Sequence, residues 1–296
     1  MSKVLEMSEA IRRFVPDGST VALGCCLEAA IPFAAGHELI RQRRCDLTLV
    51  GPISDMLFDQ LIGAGCVARV CAAWVGNVAH GLGHCYRRAA EQDVPRPIEI
   101  WDHTNFSISL ALWASSWGVP YLPTRTLVGS DLLKTNPHLA REGELVRVEA
   151  VRPDATILHV QRADEQGRAH LWGPLGIAEE AALAAARVLV VAEEVVDPSV
   201  TLSDPNRILV PETKVAAVVH APGGSHPSPL QGRWRRDHAA YEEYHRRTRT
   251  VEGFEEWVQE WVVGVPDRAS YLRRVDRAAL RTRRRLLSAP VDYADV

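Results

Sequence analysis

The 296-residue chain contains no apolar run of about 18 residues, so nothing in it is long enough to span a bilayer as a helix. Its opening, Met1-Ser2-Lys3-Val4-Leu5-Glu6, lacks the basic-then-apolar pattern of a secretory signal, and a cytoplasmic location is expected. Thirty-four Lys and Arg against 37 Asp and Glu give a net charge of −3, which supplies no positive field for nucleic acid. None of the six cysteines, at 25, 26, 45, 66, 71 and 85, forms a C-x-x-C pair, which argues against a zinc ribbon. Adjacent Cys25 and Cys26 are poorly placed to bridge each other, and a cytoplasmic chain keeps thiols reduced, so most of the six read as small core hydrophobes. A G-x-G-x-x-G fingerprint is absent, and with it the sign of a dinucleotide site. Internal repeats, low-complexity linkers and a basic helix-turn-helix before residue 20 are also absent.

What remains is ordinary globular material, 47% hydrophobic and 24% charged, long enough for a full core. Short apolar runs bounded by Gly, Pro and Asp recur at Ser19–Gly24, Asp46–Gly51, Ala68–Gly76, Ile98–Asp102, around Tyr121–Leu122, and at Ala155–Gln161, Val188–Val196 and Lys214–His220. Several are continuous β-branched runs, as in strands buried on both faces. Helical stretches fall between them at Val4–Phe14, Ile31–Arg43, Ser107–Trp117 and Ala178–Ala186. Strand–helix alternation predicts an α/β fold with a mainly parallel sheet flanked by helices. Residues 1–236 form that α/β domain; residues 237–296 are read as a helical C-terminal extension packed on it, with helices over Asp237–Arg247, Val251–Val263 and Asp267–Arg285. Trp257 and Trp261, four apart, mark a docking stripe. The run Arg281, Arg283, Arg284 and Arg285 reads as a solvated face or helix C-terminus.

Candidate chemistry lies at strand ends. After Gly24 a short loop, Cys25-Cys26-Leu27-Glu28, precedes a helix near Pro32, a geometry that turns backbone N–H groups toward an anion or thioester. Cys25 or Cys26 is a candidate nucleophile, against a structural reading of both; Glu28 is a candidate base or nucleophile, against a solvated surface acid. Gly76 and Asn77 open a Gly-rich segment whose His80, His84 and Cys85 are weighed as a metal cluster, with no metal expected. Thr104 and Asn105 are placed either to bond a ligand carbonyl or to cap the next helix. Adjacent Asp102 and His103 point apart if extended. The Gly118–Pro137 loop gathers Arg125, Gly129, Ser130 and Asp131, and reads either as a solvated loop or as a functional one. His226, in Gly223-Gly224-Ser225-His226-Pro227, is placed to contact a ligand or partner, or to hold its own turn.

In order, the segments DGSTV (17–21), DLTLV (46–50), PYLPTR (120–125), GSDLL (129–133), HVQRADEQG (159–167), DPNR (204–207), APGGSHPSPLQG (221–232) and WVVGVPDR (261–268) resemble the A (alpha) subunit of heteromeric class I coenzyme A transferases, of the glutaconate CoA-transferase type. The resemblance covers residues 4 to 275. It implies the CoA-transferase (NagB-like) Rossmann-type fold and transfer of CoA between carboxylic acids, with an acyl-CoA thioester as substrate and no permanently bound cofactor. It implies a B (beta) subunit that carries the nucleophilic glutamate, in an A2B2 or larger assembly. On that reading Gly24 to Glu28, Gly76, Asn77, Thr104 and Asn105 line the acyl-CoA pocket, with Arg125, Gly129, Ser130, Asp131 and His226 near the site or interface. Where many relatives have a second glycine, this chain has Cys25 and Cys26. Two alternatives share the fold. One is a ring-opening CoA-thioester hydrolase of steroid breakdown, whose members resemble this chain but carry a glutamate near Asn105, where an amide is no general base. The other is a non-catalytic ligand-sensing module.

Overall fold

A computed structural model describes residues 2–281. Its strands in chain order are β1 (Thr20–Ala22), β2 (Leu47–Ile53), β3 (Val67–Trp74), β4 (Gly76–Asn77), β5 (Gly81–Leu82), β6 (Glu99–Asp102), β7 (Tyr121–Thr124), β8 (Leu139–Glu142), β9 (Leu145–Glu149), β10 (Ala155–Asp164), β11 (Ala169–His170), β12 (Arg187–Val196) and β13 (Val215–His220). The helices are α1 (Met7–Phe14), α2 (Phe33–Arg41), α3 (Asp55–Gly63), α4 (His84–Gln92), α5 (Asn105–Ser116), α6 (Leu132–Thr135), α7 (Ala178–Ala184), α8 (Pro198–Leu202), α9 (His238–Arg247), α10 (Val251–Val258), α11 (Arg268–Leu272) and α12 (Arg277–Leu280).

Seven strands make one parallel sheet in the order β13-β12-β10-β1-β2-β3-β6, and β11 folds back antiparallel on β10. The continuous apolar runs have a direct cause: the sheet is covered on both sides. Val21, Leu23, Ile157, Leu189 and Val191 face a core shared with α1 to α4. Their chain neighbours Ala22, Leu158, Val188 and Val190 face a second core under α5 and α7. Tyr241, Tyr244, Phe254, Trp257 and Val262 of the C-terminal region belong to the first core. The tryptophan stripe meets the body through Trp257, whose ring lies 6.4 Å from that of His37 on α2; within the C-terminal region Trp257 meets Tyr244 at 4.8 Å and Trp261 meets Tyr271 at 5.6 Å, all edge to face.

Three sequence expectations are corrected. The Tyr121–Leu122 run is not a strand of the parallel sheet; β7 pairs antiparallel with β9 in a separate sheet ordered β7-β9-β8. As an edge strand it accommodates Pro123, which has no N–H to donate. Helices α3 and α4 occupy segments that the pattern left unassigned. The helix expected over Asp267–Arg285 is interrupted after α11 and resumes as the short α12 before Arg281. Arg283, Arg284 and Arg285 lie outside the described residues.

Candidate functional site

At β1 the strand order reverses. The chain steps outward through β2, β3 and β6, then returns to place β10 on the other side of β1. In open parallel sheets, ligands bind outside the strand carboxyl ends at such a reversal. The loop that leaves β1 there is bent three times into the left-handed region, with φ of 66° at Gly24, 61° at Leu27 and 51° at Ala30. For Leu27 and Ala30 this conformation costs roughly 1 kcal/mol each, so surrounding contacts must impose it. At Gly24 only glycine fits, because a Cβ there would lie 2.8 Å from the Ser54 Cα.

The contacts are specific. The Ile177 N–H donates to the Cys25 carbonyl at 2.8 Å, and the Ala30 N–H to the Pro229 carbonyl at 2.9 Å. The Ile31 N–H donates to Ser228 Oγ at 3.1 Å, and Ser54 Oγ to the Leu23 carbonyl at 2.9 Å. Gly176 approaches so closely that a Cβ on it would sit 2.3 Å from the Cys25 oxygen. What these pins leave over is a row of donors. The N–H groups of Cys25, Cys26, Leu27 and Glu28 have no acceptor among the described residues. Consecutive free N–H groups at a fixed turn form a concavity suited to an anion or a developing oxyanion.

Two buried networks brace the loop. His159 Nε2 lies 2.9 Å from Glu193 Oε1, which also accepts the Gly223 N–H at 2.8 Å; Glu193 Oε2 accepts from Trp234 Nε1 at 2.9 Å. Burial pushes the Glu193 carboxyl up, but these donors outweigh it and hold it below its ordinary range. This anchors the Gly223–Pro229 turn that grips Ala30 and Ile31. On the other flank Asp55 is fully buried, accepting the Tyr241 hydroxyl on one oxygen and the Val78 N–H, at 3.0 Å, on the other. Burial pushes its carboxyl up to about 6, even though both donors pull it down.

The candidate residues from the sequence separate into two groups. Gly24, Cys25, Cys26, Glu28, Gly76 and Asn77 come together. Glu28 is half exposed and pairs with Arg236 at 2.7 Å; Arg236 lies over the Tyr241 ring, and Asn77 donates to the Tyr241 carbonyl at 3.0 Å. Gly76 permits the tight β4–β5 pairing, since a Cβ would meet the Gly81 oxygen at 2.3 Å. Cys25 and Cys26 are core side chains. Burial pushes the Cys25 thiol well up and that of Cys26 up to about 12, so neither supplies a thiolate near neutral pH.

The second group gathers at β6, three strand spacings or about 14 Å from β1. Thr104 caps α5: its Oγ1 accepts the Ser107 N–H at 3.0 Å, and Ser107 Oγ accepts the Thr104 N–H in return. Asn105 is exposed on the first turn. Asn136 ties the Gly118–Pro137 loop to this edge by donating to the Asp102 carbonyl at 2.7 Å. Arg125, Gly129 and Asp131 of that loop face solvent, and half-buried Ser130 accepts the Leu132 N–H. Asp102 is exposed and His103 buried against Ser107, facing apart as expected.

His226 is buried with both ring nitrogens engaged, one by the Tyr271 hydroxyl and one by Asp237, each at 2.9 Å. It holds its own turn. His80 and His84 both pack against the His245 ring, and no cluster among the described residues could hold a metal ion. Sequence reasoning missed Ser54, Asp55, Gly176, Arg236 and Tyr241. An acid just past β2 was a readable signal; the Tyr241–Asp55 contact spans 186 residues and left none.

Residues 4–221 match the family model described as Coenzyme A transferase. The A subunit of 3-oxoadipate CoA-transferase from Pseudomonas knackmussii is 39% identical, over 93% of this chain and 99% of that one. The A subunit of glutaconate CoA-transferase from Acidaminococcus fermentans is 29% identical over 95% of this chain and 94% of that one. The crystal structure of that transferase superposes with a TM-score of 0.88 at 27% identity, covering 95% and 96% of the two chains. A cholesterol ring-cleaving hydrolase subunit of Mycobacterium tuberculosis is 29% identical, over 83% of this chain and 89% of that one. Among the described residues, no helix is long and apolar enough to cross a membrane.

Proposed function

Because the chain belongs to the coenzyme A transferase family, we propose that the Cys25–Glu28 N–H groups hold the thioester oxygen while CoA passes from one carboxylic acid to another. The chain is the A subunit of a two-chain enzyme, and the B-type partner supplies the nucleophilic glutamate. That carboxylate adds to the acyl-CoA carbonyl carbon, and the carbonyl oxygen takes up the displaced electron pair. Collapse of the tetrahedral oxyanion expels CoA as the thiolate and leaves an acyl–glutamyl anhydride. The thiolate then adds to the glutamyl carbonyl, which releases the first acid and forms a glutamyl–CoA thioester. The incoming acid runs the sequence in reverse. Each addition creates an oxyanion, and preorganised N–H donors stabilise it without reorganising.

The observation that carries this reading is the row of four unpaired N–H groups at the strand-order reversal. Gly24 supplies the turn, Gly76 and Asn77 the adjoining wall. Thr104, Asn105, Arg125, Gly129, Ser130 and Asp131 form a rim toward the partner chain, and His226 fixes the turn behind the loop. The two transferase relatives are named for 3-oxoadipate and glutaconate, both dicarboxylic acids, and a dicarboxylic acyl-CoA is the proposed substrate class. No resident cofactor is assigned, and the proposed site of action is the cytoplasm. Exposed Asn105 offers an amide where the hydrolase reading needs a carboxylate.

The test is to purify this chain with its B-type partner and add a dicarboxylic acyl-CoA together with borohydride. Reduction of the thioester intermediate should inactivate the enzyme and place a reduced glutamate on the partner. CoA exchange without a trapped adduct would overturn the covalent route.

A further inference from the structure

Two buried tyrosine–carboxylate bonds join α9 to α3. Tyr241 donates its hydroxyl to Asp55 Oδ2, and one turn further on Tyr244 donates to Asp59 Oδ2 at 2.7 Å. All four residues are buried. Each carboxylate also accepts a backbone N–H on its other oxygen, from Val78 at Asp55 and from Tyr86 at Asp59. The two bonds are chemically alike, and they differ in what stands behind them.

Asp55 is the first residue of α3 and is held in the left-handed region at φ +51°, which surrounding contacts must impose. Its chain neighbour Ser54 is the floor of the Gly24 turn. Ser54 Oγ donates to the Leu23 carbonyl, and a Cβ on Gly24 would lie 2.6 Å from that Oγ and 2.8 Å from the Ser54 Cα. The Tyr241 ring also carries Arg236, whose guanidinium lies 5.4 Å from the ring centre and pairs with Glu28. Tyr241 thus reaches both ends of the Cys25–Glu28 donor row, through Ser54 at one and Arg236 at the other. Tyr244 has different surroundings: Asp59 sits inside α3, and the Tyr244 ring packs against Trp257 with Cys85 Sγ 3.9 Å from its hydroxyl.

We propose that Tyr241 is a positioning residue for CoA transfer: its hydroxyl pins the head of α3 and so fixes Ser54 beneath the donor row, whereas Tyr244 serves folding alone. The assignment rests on the reading of that row as the oxyanion site. Without the hydroxyl, Asp55 is free to leave its left-handed conformation and carry Ser54 with it. Displaced donors then stabilise the oxyanion less, while substrate binding by the rest of the site is kept.

The test compares Tyr241→Phe with Tyr244→Phe in the purified assembly of this chain and its partner. The readout is exchange of CoA between glutaryl-CoA and ¹³C-labelled glutarate. Each variant deletes one buried hydroxyl, so the two unfolding midpoints should fall by similar amounts. In Tyr241→Phe kcat should fall about tenfold with KM changed less than about twofold; in Tyr244→Phe kcat should stay within about twofold of wild type. If Tyr241→Phe fails to fold, Ser54→Ala removes the tie to the Leu23 carbonyl and should show the same selective loss of kcat. Equal kcat in the two tyrosine variants, a loss carried by KM, or unchanged kcat in Ser54→Ala would overturn the assignment. Gly24→Ala separates the brace from the row: if it slows exchange and Tyr241→Phe does not, only the brace falls, and if neither does, both fall.

Discussion

Tyr241 of α9 donates its phenolic hydrogen to Asp55 at the head of α3, joining the C-terminal helices to the β2 strand end beside the Gly24 loop. Both side chains are 0% exposed. This buried carboxylate makes the region sensitive to pH in a calculable direction.

Asp55 titrates near 6 in the folded chain, raised from 3.8 chiefly by burial. The folded state therefore binds its proton more tightly than the unfolded state does, and stability from this group is full below pH 3.8 and lost as pH rises through 6. Asp55→Asn keeps the Val78 N–H on its amide oxygen but makes the Tyr241 hydroxyl accept from its amide nitrogen, which leaves the phenolic hydrogen unpaired, so it should destabilise by about 1 kcal/mol at low pH. That deficit should shrink as pH rises from 4 to 7, read from urea unfolding of both proteins across the range. A deficit that grows with pH would contradict the assigned direction.

Gly24→Ala should damage catalysis more than folding. The new Cβ must displace Ser54 backbone or unwind the φ of +66°, moving the donor row. A fall in kcat of about 10²-fold or more is expected, and the unfolding midpoint should fall further than in Gly129→Ala, because the Ser54 clash adds to the left-handed strain. Gly129→Ala makes the contrast: its φ is +86° but nothing lies within 4 Å, so only a strain of about 1 kcal/mol is expected. Equal loss of activity in the two variants would detach the donor row from the chemistry.

Cys25 and Cys26 should resist alkylation in the native protein. Burial keeps both protonated and out of reach, whereas Cys45 is partly exposed. Mass spectrometry after iodoacetamide at pH 8 should find carbamidomethyl on Cys45 first, and on Cys25 and Cys26 only after denaturation. Early labelling of Cys26 would show a more open loop.

Glu28→Gln should leave the covalent step in place. Its carboxylate is half exposed and paired with Arg236, an interaction worth under about 1 kcal/mol at such exposure. Borohydride should still trap the adduct on the partner chain. Loss of trapping with binding retained would make Glu28 the nucleophile.

Most of the architecture was written locally. Apolar runs such as Val188–Val196 and Lys214–His220 alternate their side chains between two cores, so a sheet covered on both faces follows from composition and period alone. Thr104 and Ser107 likewise declare a helix start within four residues. The ordered family segments carried the functional class, and Gly24 with its neighbours was singled out because a strand-to-helix loop is a local signal. Tertiary structure alone decided which candidates share a wall. Strand order put β6, with Thr104 and the Arg125 loop, three spacings from β1, and no local preference encodes strand order. It also decided that His226 is occupied by Tyr271 and Asp237, and that Asp55 meets Tyr241. Those outcomes depend on burial and on contacts between distant segments, which form only when the two cores close around the sheet.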